Sequence, residues 1–230
     1  MARNSIKTDE IKHEIRGIMD FPDDRFEEII KEVGFVCDCC GRCCTSEFND
    51  HVFLLDEDAG RIIEVAGRDA LRPAPYYEFC DNLGRFYVMG YALRNKPGGD
   101  CIFYTGGKCE HYENRPEICR IYPYMLHREE DDDGNIDWRQ ISGLGNHGLY
   151  HSEISDEAAK EIAERVKRYE VAFLRQKLAF FNKIEEHFRK HGLRHSKQIY
   201  DRKMREFKKG EEIEVYVFEK GEFVRVKLSG

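Results

Sequence analysis

Five cysteines fall within the eight residues Cys37–Cys44, in the order C-D-C-C-G-R-C-C. Within it Cys37, Cys40 and Cys43 are spaced C-x2-C-x2-C, which lets one tight turn aim three thiolates at a common point, as in ferredoxin-type loops. Gly41 can take the backbone angles such a curl requires. The run predicts irregular chain wrapped round a metal centre. A fourth thiolate must come from elsewhere. The choices are Cys44, Cys101, Cys109 and Cys119, the last three within C-I-F-Y-T-G-G-K-C-E-H-Y-E-N-R-P-E-I-C-R-I-Y-P-Y.

Disulfides are the poorer reading of these residues. Nine cysteines in 230 residues stay below the ~8–10% of disulfide scaffolds. They are odd in number and clumped, and Met1–Glu10 has no apolar stretch of a secretory signal. Reduced thiolates and a cytoplasmic location are expected. No window approaches ~18 apolar residues, so no membrane insertion is expected. The net charge of −7 argues against a general nucleic-acid binder. With 41% hydrophobic and 35% charged residues the chain is globular in composition and long enough to bury a core without help from metal.

Around the cysteines the pattern predicts an α+β fold. Ile11, Ile15 and Ile18, then Phe26, Ile29 and Ile30, mark two helices parted by Pro22 and closed by Gly34. Residues His51–Leu55, Arg85–Ala92 and Cys101–Tyr104 read as short strands. Paired glycines Gly106–Gly107 predict a hairpin that brings Cys101 and Cys109 together. Pro116 suits the first turn of a short helix carrying Cys119, and Pro123 stops it. A long helix over 156–191 carries the apolar stripe Ile162, Val166, Tyr169, Phe173, Leu174, Leu178, Phe181, Ile184 and Phe188. Ser155 is its expected N-cap and Gly192 its C′ residue. Ile213–Phe218 and Phe223–Leu228 alternate about Lys220–Gly221 as a terminal β-hairpin. The expected organisation is N-terminal helices at 1–34, a cysteine-cluster domain of loops and short strands at 35–127, a loop at 128–151, the long helix at 152–193 and the hairpin region at 194–230.

Cys37-x2-Cys40-Gly41-x-Cys43-Cys44, followed by Cys101-x7-Cys109 and Arg115-Pro116-x2-Cys119-Arg120-x-Tyr122-Pro123, resembles the YkgJ-type cysteine-cluster family. That family is also called CxxCxxCC, a zinc- or iron-chelating domain by proposal, and the domain occurs in flagellin lysine N-methylases too. The resemblance covers about residues 35–125. It implies Cys37, Cys40, Cys43, Cys44, Cys101, Cys109 and Cys119 as metal ligands. Relatives often carry a further cysteine before a Gly-rich stretch after the Tyr-Pro pair; here Gln140–Gly143 has none, which leaves Cys39, Cys80 or His111 as substitutes. Otherwise Cys39 and Cys80 read as ordinary thiols.

Arg115 and Arg120 flank Cys119 and are read as cofactor-binding cations that offset thiolate charge; the competing reading is salt bridges to nearby carboxylates. The expected cofactor is an iron–sulfur cluster of the [4Fe–4S] type, with zinc the alternative. The expected role is redox, sensing or docking on a protein partner. The alternatives are a zinc-binding structural module or an enzyme resembling a protein lysine N-methyltransferase, with protein as substrate. No catalytic residue is identifiable. Three other features are discounted. Gly143–Gly148 spells G-x-G-x-x-G without the flanking strand and helix that a nucleotide loop needs. His187 and His191 are expected in solvent at a helix end. The acidic segment 129–137 reads as a solvated turn.

Overall fold

A computed structural model describes residues 2–48, 50–124, 129–130, 136–137 and 147–229. The elements in chain order are α1 (Ala2–Asp20), α2 (Asp23–Val33), β1 (Phe53–Leu54), α3 (Asp56–Ala66), β2 (Leu71–Pro73), β3 (Phe79–Cys80), β4 (Phe86–Val88), β5 (Tyr91–Leu93), β6 (Tyr104–Thr105), β7 (Lys108–Cys109), α4 (Glu117–Ile121), β8 (Glu129–Glu130), β9 (Ile136–Asp137), α5 (Asp156–His191), α6 (Lys197–Phe207), β10 (Glu212–Glu219) and β11 (Glu222–Ser229). The fold is α+β, as the patterning predicts, with the long helix and the terminal hairpin in place. The Gly143–Asn146 part of the glycine motif and the Gln140–Gly143 stretch lie outside the described residues.

The chain divides into two compact units. One is built from Met1–Thr8, Phe53–Arg94 and Arg175–Gly230, the other from Asp9–Val52 and Asn95–Leu174. Residues 53–94, read from sequence as part of the cysteine domain, thus pack in the first unit, while the cysteine-rich segments on either side of them are in the second.

In the first unit a four-stranded sheet has the order β11-β10-β4-β3 and a three-stranded sheet the order β1-β5-β2. The parallel pairing of β10 with β4 sets Val215 opposite Phe86 and Val217 opposite Val88, and all four side chains are buried. The β10–β11 register closes at Glu219↔Glu222. Lys220 (φ 48°) and Gly221 (φ 87°) form the two-residue turn between them, the mirror-image type that matches strand twist. The expected strand at 85–92 is two strands, β4 and β5, separated at Met89–Gly90. The helices α3 and α6 stand where the sequence reading named none. Both are eleven residues long and amphipathic; a helical spacing such as that of Tyr200, Met204 and Phe207 was there to be read and was passed over.

The long helix α5 contributes its first half to the second unit and its second half to the first. Its cap is the expected one: the Ala158 N–H donates to Ser155 Oγ at 3.2 Å. At the other end the Leu193 N–H reaches the Phe188 carbonyl at 2.9 Å past Gly192 at φ 63°, a Schellman closure. The apolar stripe needs adjustment. Val166, Tyr169, Leu174, Phe181 and Ile184 are buried, and so are Ala159, Ala163 and Phe180, whereas Ile162, Phe173, Leu178 and Phe188 are half-buried. Phe180 lies among the rings of Phe79, Phe181, Phe218 and Phe223, so the apolar face is wider there than a three-four spacing suggests. His187 is not in free solvent: it is half-buried, with Nε2 3.4 Å from the Tyr87 hydroxyl. His191 is exposed.

Candidate metal centre

In the second unit the chain reaches the cysteine loop from α2. Gly34 takes the left-handed conformation that ends the helix, its N–H donating to the Ile30 carbonyl. The next residues form a short two-way ladder. Val36 and Leu149 exchange both main-chain hydrogen bonds at 2.8 and 2.9 Å, and the Ser152 N–H donates to the Gly34 carbonyl at 3.0 Å. The start of the cysteine loop is therefore held against residues 147–152, although the two segments are more than a hundred residues apart in sequence.

The loop curls at once. Cys39 and Gly41 both have positive φ, 58° and 73°, and Arg42–Cys44 is a single 3-10 turn. At Gly41 no side chain is possible: a Cβ would stand 2.7 Å from the Gly107 carbonyl oxygen and 3.0 Å from Cδ2 of the Tyr104 ring. The loop thus lies directly on the hairpin β6–β7. That hairpin pairs Tyr104 with Cys109 and Thr105 with Lys108, turning through Gly106 and Gly107 at φ 59° and 85°. Cys101 is fastened separately, its N–H donating to the Cys44 carbonyl at 2.8 Å. Ser46 extends the seam through bonds to Asp100 and to the Gly98 carbonyl, each 3.1 Å.

This packing gathers four thiols. Cys44 shares side-chain hydrogen bonds with both Cys109 and Cys43, and Cys101 stands close enough to feel the charge of Cys109 and Cys43. Their protons are unequally held. Hydrogen bonding from Cys44 pulls the Cys109 thiol down to about 6, with help from the His111 N–H and the Arg115 charge. The Cys43 thiol is lowered for the same first reason, and Cys44 is raised because it donates to both. Half-buried Cys101 is raised by desolvation.

A second regularity concerns the backbone. The thiols of Cys37, Cys40, Cys101 and Cys109 each accept an N–H from the residue two positions on, namely Cys39, Arg42, Phe103 and His111. At Cys109 the bond adds to the lowering of the thiol, whereas at Cys40 and Cys101 it offsets only part of the desolvation that raises it; the anionic sulfur is the form that ligates metal. Donor chemistry therefore fits a thiophilic metal. Among the described residues no group of three or more His, Cys, Asp or Glu side chains is arranged to hold a metal ion.

The remaining predicted residues divide. The thiols of Cys37 and Cys39 bond the Tyr112 hydroxyl, and Cys40 bonds Asp38. Cys119 lies on α4, its N–H on the Pro116 carbonyl at 3.0 Å. Arg115 lies over the Tyr112 ring at 3.7 Å and its charge reaches Cys43 and Cys109. Arg120 serves the backbone, donating to the carbonyls of Arg115 at 3.0 Å and of Glu113. It also faces Glu117 at 3.6 Å, so the salt-bridge alternative describes Arg120 better than Arg115. Cys80 is wholly buried in the other unit, its thiol pushed up to about 12 by desolvation. The His111 ring packs on Phe103 at 4.4 Å. Sequence reading passed over Asp38, Tyr112 and His147. The first is visible only as a polar residue between cysteines, and the others lie outside the cysteine spacing altogether.

Residues 36–141 match the model of the CxxCxxCC family, whose description proposes a zinc- or iron-chelating domain. This segment, a little under half of the chain, is similar to that domain. The match supports metal binding by this segment in general and leaves zinc and iron both open. Neither a curated protein nor a solved structure matches the chain. Among the described residues of this protein, no helix is long and apolar enough to cross a membrane.

Proposed function

We propose that the CxxCxxCC-like segment holds a [4Fe–4S] cluster through Cys43, Cys44, Cys101 and Cys109, in a redox, sensing or partner-docking role. The observation that carries this reading is the hydrogen-bonded trio Cys43, Cys44 and Cys109, with Cys101 close enough to feel the charge of Cys109 and Cys43. An all-sulfur set of four is what such a cluster takes from a protein. N–H groups aimed at Cys101 and Cys109, with the Arg115 cation beside them, are the features that offset thiolate charge and tune such a centre. All four thiols are only half-buried, which leaves the site reachable by an electron-transfer or docking partner. Arg115 would be the cation nearest the cluster, and Arg120 would hold the Glu113–Arg115 backbone that presents it.

One observation favours zinc as a second reading. Thiols in direct hydrogen-bonding contact are close to the sulfur–sulfur spacing around a single tetrahedral ion, roughly 3.8 Å for Zn–S bonds of about 2.3 Å. Anaerobic purification followed by an optical spectrum and iron, sulfide and zinc analysis separates the two. The cluster reading expects brown protein with broad absorption near ~400 nm and about four iron and four sulfide per chain. Colourless protein with stoichiometric zinc and no sulfide would replace it with the structural-zinc reading.

A further inference from the structure

The net charge of −7 is unevenly placed along the chain. The unit of residues 9–52 and 95–174 carries −13, whereas the other unit carries +6. All of that surplus lies in residues 189–209, where nine Lys and Arg stand against Asp201 and Glu206, a local charge of +7. The segment comprises the end of α5, the connection after it, and α6. Its mounting is firm. The Ser196 N–H donates to the Cys80 carbonyl at 2.9 Å, and the Cys80 N–H donates to His195 Nδ1 at 3.1 Å. The Arg194 N–H donates to Asn82 Oδ1 at 3.1 Å, and the Tyr200 ring rests on Phe86 at 5.3 Å. Ile199, Tyr200, Met204 and Phe207 make the half-buried side of α6. Lys197, Gln198, Asp201, Arg202 and Arg205 are exposed, and exposed Lys208 and Lys209 continue that face past the helix end.

Helix stability accounts for part of this pattern. The helix dipole favours cations in a last turn, which covers Arg189 and Lys190 on α5 and Arg205 to Lys209 on α6. The same field disfavours Lys197 at the start of α6, with Arg194 and His195 just before it, and that first turn has no acidic residue. Arg205 also faces Lys208 and Lys209 at i+3 and i+4, spacings at which like charges repel. We propose that the exposed basic face of α6, with the connection that precedes it, binds the phosphate backbone of a nucleic acid. Lys and Arg clustered along one helix face are the footprint of such binding, and contacts of this kind read charge, not sequence. The overall negative charge, taken alone, hides this surface. From Lys197 to Lys209 the face is about 18 Å long at ~1.5 Å per residue, and a duplex sets about one phosphate charge against every 1.7 Å of it. Two other polyanions fit less well. A membrane-surface helix needs a free apolar face, whereas α6 packs on β3 and β10. An acidic protein would be held by aromatic or apolar anchors with few lysines, and the exposed face of α6 has no apolar side chain. The inference does not rest on the metal centre, whose residues belong to the other unit.

The test uses the full chain and a fluorescein-labelled, mixed-sequence DNA of about twenty nucleotides, as duplex and as single strand. Binding is read by anisotropy between about 50 and about 200 mM salt. Five exposed cations, Lys197, Arg202, Arg205, Lys208 and Lys209, give an expected slope of log affinity on log salt of about −4.5 for the duplex and about −3.5 for the single strand. For the duplex that is a loss of roughly 500-fold over the range. The triple variant Lys197→Gln/Arg205→Gln/Lys208→Gln should cut each slope to about two-fifths and weaken binding at the lower salt. The control Lys183→Gln/Arg225→Gln/Lys227→Gln removes the same charge from the same unit, at cations already paired with Glu222, Glu214 and Glu212, and should leave the slopes near those of the wild type. Failure of both oligonucleotides to bind at the lower salt, or equal effects of the two triple variants, would overturn the proposal. So would tighter binding to polyglutamate or to phosphatidylserine vesicles than to either oligonucleotide, which would reassign the face. Circular dichroism checks the fold. If the first triple variant does not fold, Lys208→Gln alone, past the last helical residue, should flatten the duplex slope by about 0.9, and an unchanged slope would overturn the proposal equally.

Discussion

Replacing Gly41 by alanine tests whether the four-thiol group depends on the contact between the cysteine loop and the β6–β7 hairpin. Two costs add at this position. An L-residue held at φ 73° sits in the left-handed region, at about 1–2 kcal/mol. The new Cβ would also stand 2.7 Å from the Gly107 carbonyl oxygen. Backbone cannot rotate aside as a side chain can, so relief requires the loop to lift from the hairpin, at about 1–3 kcal/mol. Together these come to about 2–5 kcal/mol. Lifting the loop separates Cys43 and Cys44 from Cys109, so the cost falls on the metal-bound form. A value near 3 kcal/mol corresponds to roughly a hundredfold weaker metal binding, at about 1.4 kcal/mol per factor of ten. Gly106→Ala is the control. It has φ 59° but open space around its would-be Cβ, so only the conformational cost of about 1–2 kcal/mol applies. The assay is competitive titration of metal against a chelator, with thermal unfolding of both variants alongside. Equal metal affinity and equal thermal stability of Gly41→Ala and Gly106→Ala would refute the argument.

Two further outcomes are expected. Cys44→Ser should lose most of the bound metal, because its thiol joins Cys43 to Cys109, and Cys43→Ser should do the same. Cys39→Ser and Cys80→Ser should keep most of theirs, and comparable loss in Cys80→Ser would make it a ligand; metal analysis of the folded fractions reads all four. Phe180→Ala should cost about 3–5 kcal/mol, since the ring is fully buried with four other rings within 6.2 Å. Urea unfolding followed by circular dichroism measures this, and a loss below about 1 kcal/mol would show that the cluster of rings closes over the gap.

Local rules were enough for much of this chain. The α5 boundaries follow from Ser155, the acidic first turn and Gly192, because caps satisfy backbone groups within one or two turns. The terminal hairpin follows from alternation about Lys220–Gly221, and the Gly106–Gly107 turn from the freedom of glycine at positive φ. The cysteine spacing pointed to a metal-binding segment before any fold was known, since residue type and proximity along the chain are themselves sequence properties. Packing decided the rest. Spacing alone predicts that Cys37, Cys40 and Cys43 converge, yet Cys43 joins Cys44, Cys101 and Cys109, because Gly41 seats the loop on a hairpin distant in sequence. Phe180 is buried by strands β3 and β10 and by Phe223, whose approach no helical period encodes. The Gly148 N–H is brought to the Cys40 thiol beside the Val36–Leu149 ladder, a pairing across more than a hundred residues. Long-range contacts of this kind depend on which surfaces exclude water together, and that is a property of the folded chain.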